Sequence, residues 1–265
     1  MNEESRLQKE YVQNIKKHQR KVLAARILLA LAFFLLWETA TDRNWIDGFF
    51  FSSPSRMARL FLSMWRDGSL FLHVGVTLAE TLISFALVVV LGMAVALILW
   101  LFGSASEVLE PYLVILNSLP KSALAPLLIV WLGANVRTIM VAGMSVALFG
   151  TVLNLYTGFT ETSKEKIKLI YTLHGTRMDA LTKVVLPSTI PMIISIMKVN
   201  IGLCLVGVVI GEFIGARCGL GYLIIYGSQV FQLDLVILSI MILCLMAILL
   251  YSGVTLVEKR YLKKN

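Results

Sequence analysis

Six long apolar runs constrain the fold of this chain more than any other feature. Each run is long enough to cross about 30 Å of hydrocarbon, which takes roughly 20 helical residues. The runs lie near residues 22–41, 78–102, 112–132, 138–158, 190–213 and 234–257. They predict an all-α, polytopic membrane protein with six transmembrane helices.

Composition and motifs narrow the class further. The chain is 58% hydrophobic and 15% charged, which is atypical of a soluble domain. The net charge of +8 is compatible with nucleic acid or a membrane surface, but the positions of the charges favour the membrane. There is no GxxxxGK[ST], HExxH or GxSxG motif, and the three cysteines lack metal-ligand spacing. We therefore expect no catalytic residue, no metal site, no cofactor on this chain and no nucleic-acid partner.

The positive charges predict an orientation. With the N-terminus in the cytosol, 16 Lys and Arg residues lie in the cytosolic segments and 6 in the external ones. Both termini are thus expected in the cytosol. Residues 1–21 are interpreted as an amphipathic segment on the lipid surface or a disordered tail, and 258–265 as a basic cytosolic tail. Between them, 22–257 are expected to form one transmembrane domain with an external interfacial segment at 42–77 and a cytosolic loop at 159–189.

Two prolines interrupt the third run. Pro120 and Pro126 predict a kinked or broken helix, and such helices tend to line a cavity rather than face lipid.

The segment from Lys168 to Pro191 interrupts the apolar sequence between the fourth and the fifth runs. Four of its residues follow an i, i+4, i+7, i+11 pattern, namely His174, Met178, Leu181 and Val185. Pro187 is expected to end this helix, and Pro191 to lie in the first turn of the next. The pattern predicts a short amphipathic helix, a break and a new membrane helix. An amphipathic helix between two spans is a docking surface for a soluble partner, and an ordinary surface loop is the alternative.

Three stretches carry a resemblance to a known family. They are Thr172-Leu173 with Lys183-Val184-Val185-Leu186-Pro187, the sequence LPKSALAPLLIVWLG at 119–133, and GVVIGEFIGARCGLGYLII at 207–225. Together they resemble the permease subunits of bacterial ABC importers, of the nitrate/sulfonate/taurine type that also includes carriers of vitamin precursors. The chain departs from the family where His174 replaces a glycine and where Lys168-Leu169-Ile170 replaces Glu-Ala-Ala.

The resemblance implies a fold, partners and a location. The fold would be that of type I ABC-importer permeases, with a cytoplasmic coupling helix between helices 4 and 5. Two copies of the permease would bind two cytosolic ABC ATPase subunits, which would hold the ATP and Mg, and an extracellular or periplasmic substrate-binding protein. The location would be the bacterial inner membrane, in contact with lipid. The residues expected to couple to the ATPase are Thr172, Leu173, His174, Gly175, Arg177, Met178, Asp179 and Pro187.

Polar groups inside the apolar runs are candidates for the translocation pathway, because burying them in a membrane is costly. They are Glu80, Lys121, Lys198, Asn200 and Glu212. The alternatives are a carboxylate in interfacial water for the two acids, and a snorkelling or paired charge for the two lysines. The family often has arginine where this chain has Glu80. A carboxylate there leaves room for a zwitterion, an amine or a heteroaromatic precursor as the substrate.

Gly207, Gly211 and Gly215 are spaced by four residues and form a smooth helix face. This face predicts close packing either within one subunit or between two subunits. A stand-alone secondary transporter or channel is the alternative function. Such proteins often show internal repeats, and none is evident between residues 22–132 and 138–257.

Overall fold

The computed structural model describes residues 3–262, and all regular structure in that range is helical. Helices α1 to α7 are Glu3–Asp42, Gly48–Phe51, Pro54–Arg66, Ser69–Leu101, Gly103–Ser118, Lys121–Leu132 and Val136–Thr160. Helices α8 to α12 are Lys164–Thr172, Arg177–Ala180, Leu186–Gly215, Leu220–Gln229 and Leu233–Leu262, with a π-helical turn at Leu181–Val185 between α9 and α10. The all-α prediction is confirmed.

The chain divides into two compact units, with the boundary after Ser63. In the first unit, the end of α1 is hydrogen-bonded to residues just before and within the first turn of α3. Thr41 Oγ1 donates to the Ser52 carbonyl (3.1 Å), and the Ser55 N–H donates to Glu38 (3.0 Å). Residues 3–21 belong to α1 and continue without a break into the first apolar run.

The second unit is built around α7, which packs against both α4 and α10. Small residues allow this close approach. A Cβ at Gly207 would lie 2.8 Å from the Cα of Gly143, and one at Gly211 would lie 3.1 Å from the Cα of Ile139. A Cβ at Gly215 would meet Ile129 of α6 at 3.0 Å. The glycine face of α10 therefore packs within the subunit, which was the first of the two interpretations.

Five helices of the described range are long and apolar enough to cross a membrane, and a bent pair, α5 and α6, raises the number to six. Helix α4 begins at Ser69, nine residues before the start of the apolar run near residue 78. The interfacial segment expected at 42–77 stays a prediction. The broken third span is confirmed, with a 97° bend between α5 and α6. Pro120 lies at this bend, whereas Pro126 lies inside α6 without breaking it.

The predicted helix break at Pro187 is wrong. The π-helical turn immediately precedes Pro187, and the Leu186 N–H donates to the carbonyl of Leu181, five residues back. In a regular α-helix the ring of Pro187 would clash with the carbonyl of Lys183. A π turn is wider and makes room for such an insertion. The helix therefore runs on through Pro187 and Pro191, and α9, the π turn and α10 form one span candidate, Arg177–Gly215.

Candidate functional site

The loop between α8 and α9 is a tight turn with a fixed geometry. At the end of α8 the His174 N–H donates to the Tyr171 carbonyl (3.0 Å), and the Gly175 N–H donates to the Ile170 carbonyl (2.9 Å). These two bonds form a Schellman motif, in which the residue after the C-cap adopts a left-handed conformation. That residue is His174, with φ +58°. The helix therefore ends before His174, and the predicted continuous amphipathic face from His174 to Val185 is wrong.

Helix α9 begins with a capping box. Thr176 Oγ1 accepts from the Asp179 N–H (3.2 Å), while Asp179 Oδ2 accepts from the Thr176 N–H (2.9 Å). Asp179 also pairs with Lys183 at 2.7 Å. Asp179 thus stabilises the start of α9. Sequence reasoning missed Thr176, although the Thr-x-x-Asp spacing is a capping signal.

Arg177 joins this segment to the end of α4. Its Nη2 donates to the Trp100 carbonyl (2.7 Å), and its guanidinium lies 5.5 Å from the centroid of the Trp100 ring. The Trp100 carbonyl is in the last turn of α4, where carbonyls have no partner in the helix and positive charge is favourable. Trp100 was missed because nothing in the sequence links it to a residue 77 positions away.

The inner side of the segment is fully packed. Ala180, Leu181 and Val185 are buried in a hydrophobic cluster with Phe159 of α7 and Ala96 of α4. The cluster and the Arg177 bond fix the segment to the ends of two membrane helices.

The outer side of the same segment exposes apolar side chains. Leu173 is 70% exposed and Met178 is 54% exposed, and Leu169 and Tyr171 are also exposed. Of the other predicted coupling residues, Thr172, His174 and Pro187 are exposed as well, and Thr172 Oγ1 donates to the Lys168 carbonyl. We call Leu169, Tyr171, Leu173 and Met178 the apolar patch. Exposed apolar side chains close together in sequence are candidates for a protein-binding surface.

A second cluster lies between α4 and α10. Glu80 and Glu212 are 3% and 1% exposed, and their carboxyl groups lie within hydrogen-bonding distance of each other. Thr77 Oγ1 donates to Glu212 Oε1 (2.7 Å), and the Gly221 N–H donates to Glu212 Oε2 (2.6 Å). The alternative that these acids lie in interfacial water is therefore wrong, because both are in the interior of the helix bundle.

The turn between α10 and α11 is held by the same cluster. The Leu220 N–H donates to Thr77 Oγ1 (2.8 Å), and the Gly219 N–H donates to His73 Nδ1 (3.1 Å). Gly219 has φ +113°, a conformation that side chains other than glycine rarely adopt. The Gly-Leu-Gly-Tyr sequence at 219–222 thus forms a turn whose N–H groups are bound by α4 and by Glu212.

The remaining polar candidates make local contacts. Lys121 Nζ donates to the carbonyls of Leu116 (2.6 Å) and Asn117 (2.9 Å) at the end of α5, next to the bend. Lys198 pairs with Glu258 of α12 at 2.5 Å, as the paired-charge alternative predicted. Asn200 is buried, and its amide nitrogen has no hydrogen-bond partner. The structure does not bring these residues together into one site, and their role in a pathway stays a prediction.

Within the part of the chain that the structure describes, no group of three or more His, Cys, Asp and Glu side chains is placed to hold a metal ion.

Comparison with known proteins assigns these features to a family. The model of the "binding-protein-dependent transport system inner membrane component" family matches residues 88–263. A probable ABC transporter permease protein of Haemophilus influenzae is 27% identical over 236 residues, which cover 89% of this chain and 96% of the relative. The formylaminopyrimidine transport permease protein ThiX of Halalkalibacterium halodurans is 26% identical and covers 87% of this chain and 92% of its own. A putative aliphatic sulfonates transport permease protein, SsuC of Bacillus subtilis, is 24% identical and covers 89% and 86% respectively.

The fold agrees with this assignment. A chain of the MetNI methionine ABC transporter in an inward-facing conformation superimposes with a TM-score of 0.63 at 19% identity, covering 71% of this chain and 94% of that one. The predicted resemblance is confirmed by the family match and by the sulfonate relative. The chain belongs to the binding-protein-dependent transport system inner membrane components, the permease subunits of ABC transporters.

Proposed function

We propose that this permease imports a small polar solute by alternating access, and that a separate ATPase drives it through the apolar patch. One observation carries the proposal: the segment that bears the patch is exposed on one side and fixed to α4 and α7 on the other. A force applied to Leu173 and Met178 would therefore move membrane helices rather than deform a loop.

Each contact has a role in this scheme. Two ATPase subunits hold ATP and Mg, and each binds the apolar patch of one of two permease copies. When the ATPase subunits close, α9 moves with the π turn and α10, because the helix is continuous from Arg177 to Gly215. The Arg177–Trp100 bond carries the same displacement to the end of α4. The pathway opens alternately to either side of the bacterial inner membrane, with the patch and both termini in the cytosol.

The relatives guide the choice of substrate. The names of two of them specify a formylaminopyrimidine and aliphatic sulfonates. We place the substrate of this chain among sulfonate-like solutes and heteroaromatic vitamin precursors, delivered by an extracellular or periplasmic binding protein. A thermal-shift screen of the binding protein against both classes would identify it. Stabilisation by neither class would contradict the assignment.

The coupling role is tested with paired variants of the patch. Leu173→Asp and Met178→Asp place a charge on a surface that must be desolvated, whereas Leu173→Met and Met178→Leu keep it apolar. We expect the aspartate variants to lose most of the ATPase that co-purifies with the permease from membranes, and to lose transport, at normal permease levels. The apolar variants serve as controls and should retain both. Recovery of the ATPase with the aspartate variants at the wild-type level would contradict the proposal.

The family assignment favours this partnered importer over the stand-alone transporter or channel, since the matched family is defined by dependence on a binding protein.

A further inference from the structure

We propose that Glu80 and Glu212 form a proton-binding site, in which Glu80 carries one proton that it donates to an ionised Glu212. The two carboxyl groups lie within hydrogen-bonding distance of each other, and both are almost fully buried. Two ionised carboxylates in contact in a low-dielectric interior would repel strongly, whereas a single proton would turn the contact into a hydrogen bond. One proton therefore removes the repulsion.

The donors around the pair show which group is ionised. Glu212 accepts from the Thr77 hydroxyl at Oε1 and from the Gly221 N–H at Oε2. A carboxylate that accepts several such bonds is stabilised in its charged form. Glu80 has the opposite surroundings, because its Oε2 is buried and has no hydrogen-bond partner. The charge therefore belongs on Glu212 and the proton on Glu80.

No cation replaces the proton. The two ion pairs found among the described residues are Lys183–Asp179 and Lys198–Glu258, and neither involves this pair. On α7, the residues packed against Gly211 and Gly207 of α10 include Ile139 and Gly143, which carry no charge. On α4, His73 accepts the Gly219 N–H at Nδ1, so that nitrogen holds no proton; its ring stacks on Tyr222 of α11, with centroids 6.1 Å apart.

The site has a structural consequence for the turn between α10 and α11. Glu212 holds the Gly221 N–H directly, and Thr77 bridges Glu212 to the Leu220 N–H. Loss of the proton would place two negative charges side by side and push α4 from α10, with the turn attached to both. The bound proton thus stabilises the contacts that hold this turn against α4.

Two conservative variants test the site, because they should behave differently. In Glu80→Gln the amide can donate to Glu212 as the protonated acid does, so the fold is kept and the titration is removed. In Glu212→Gln the amide NH₂ would face the Thr77 hydroxyl or the Gly221 N–H, both of which need an acceptor. Glu107→Gln, an exposed acid of α5, is the matched control.

The measurements are the thermal midpoint of the purified full-length protein across a pH series and the isotope-edited infrared spectrum of its glutamates. We expect the wild type and Glu107→Gln to lose stability more steeply at alkaline pH than Glu80→Gln does. The wild type and Glu107→Gln should show the carbonyl band of a protonated carboxylic acid at neutral pH, and Glu80→Gln should lack this band. Glu212→Gln should be destabilised at every pH. The proposal would be overturned if Glu80→Gln lost as much stability at alkaline pH as the wild type does. It would also be overturned if Glu80→Gln and Glu212→Gln were equally stable, or if the wild type lacked the carboxylic acid band.

Discussion

His174 is a residue whose replacement should stabilise the segment that carries the apolar patch. It has φ +58°, and its side chain is exposed. A left-handed conformation costs a residue with a Cβ about 1–2 kcal/mol, and glycine avoids that cost. Glycine also gives the unfolded chain more freedom, which offsets about 0.4–1 kcal/mol of the gain. We therefore expect His174→Gly to stabilise the closed turn by about 0.5–1 kcal/mol.

Hydrogen exchange at the amides of residues 174 and 175 measures this effect, because both are bonded to carbonyls of α8. A gain of 0.5–1 kcal/mol corresponds to exchange slowed by about two- to fivefold, given that about 1.4 kcal/mol is a factor of ten. His174→Ala is the control: it removes the imidazole but keeps the Cβ, so exchange should stay close to the wild-type rate. If His174→Ala slows exchange as much as His174→Gly, the imidazole rather than the backbone causes the strain, and the reasoning is refuted.

Three further changes test other contacts. Arg177→Lys should weaken the attachment of the segment to α4 by about 1–2 kcal/mol, because lysine keeps the charge but loses the planar guanidinium over the Trp100 ring. Faster amide hydrogen exchange at residues 177–180 would show this effect, and an unchanged exchange rate would contradict it. Lys121→Met should loosen the α5–α6 bend, because it leaves two carbonyl groups without a donor. We expect more protease cleavage near residue 120 than in Lys168→Met, a control variant at an exposed position. Gly207→Ala should lower stability by about 1–3 kcal/mol through overpacking against Gly143, seen as a lower thermal midpoint; Gly202→Ala, which meets nothing within 4 Å, should not.

The sequence predicted the spans well because their signal is local. Twenty apolar residues in a row suffice to define a membrane helix, and the bend at Pro120 follows from the missing N–H and the ring of proline. The same rule failed at Pro187, since proline chemistry alone does not tell whether the chain breaks or inserts a residue into a wider turn. Pairs such as Arg177–Trp100 and Glu80–Glu212 could not be predicted, because both depend on how α4 lies against distant helices. The Thr176 cap was predictable from spacing, and was missed.

The π turn also determines whether the apolar patch is attached to a flexible hinge or to a continuous membrane helix. Had the chain broken at Pro187, as the two prolines suggested, a push on α9 would have been absorbed by a hinge next to the membrane. Instead, a continuous helix of 39 residues begins at Arg177 beside the patch and ends at Gly215. At 1.5 Å per residue, this helix is about 58 Å long. Glu212 lies in its last turn, so under the proposed coupling a displacement of α9 would reach the end of α10 that lies against the Gly219 turn.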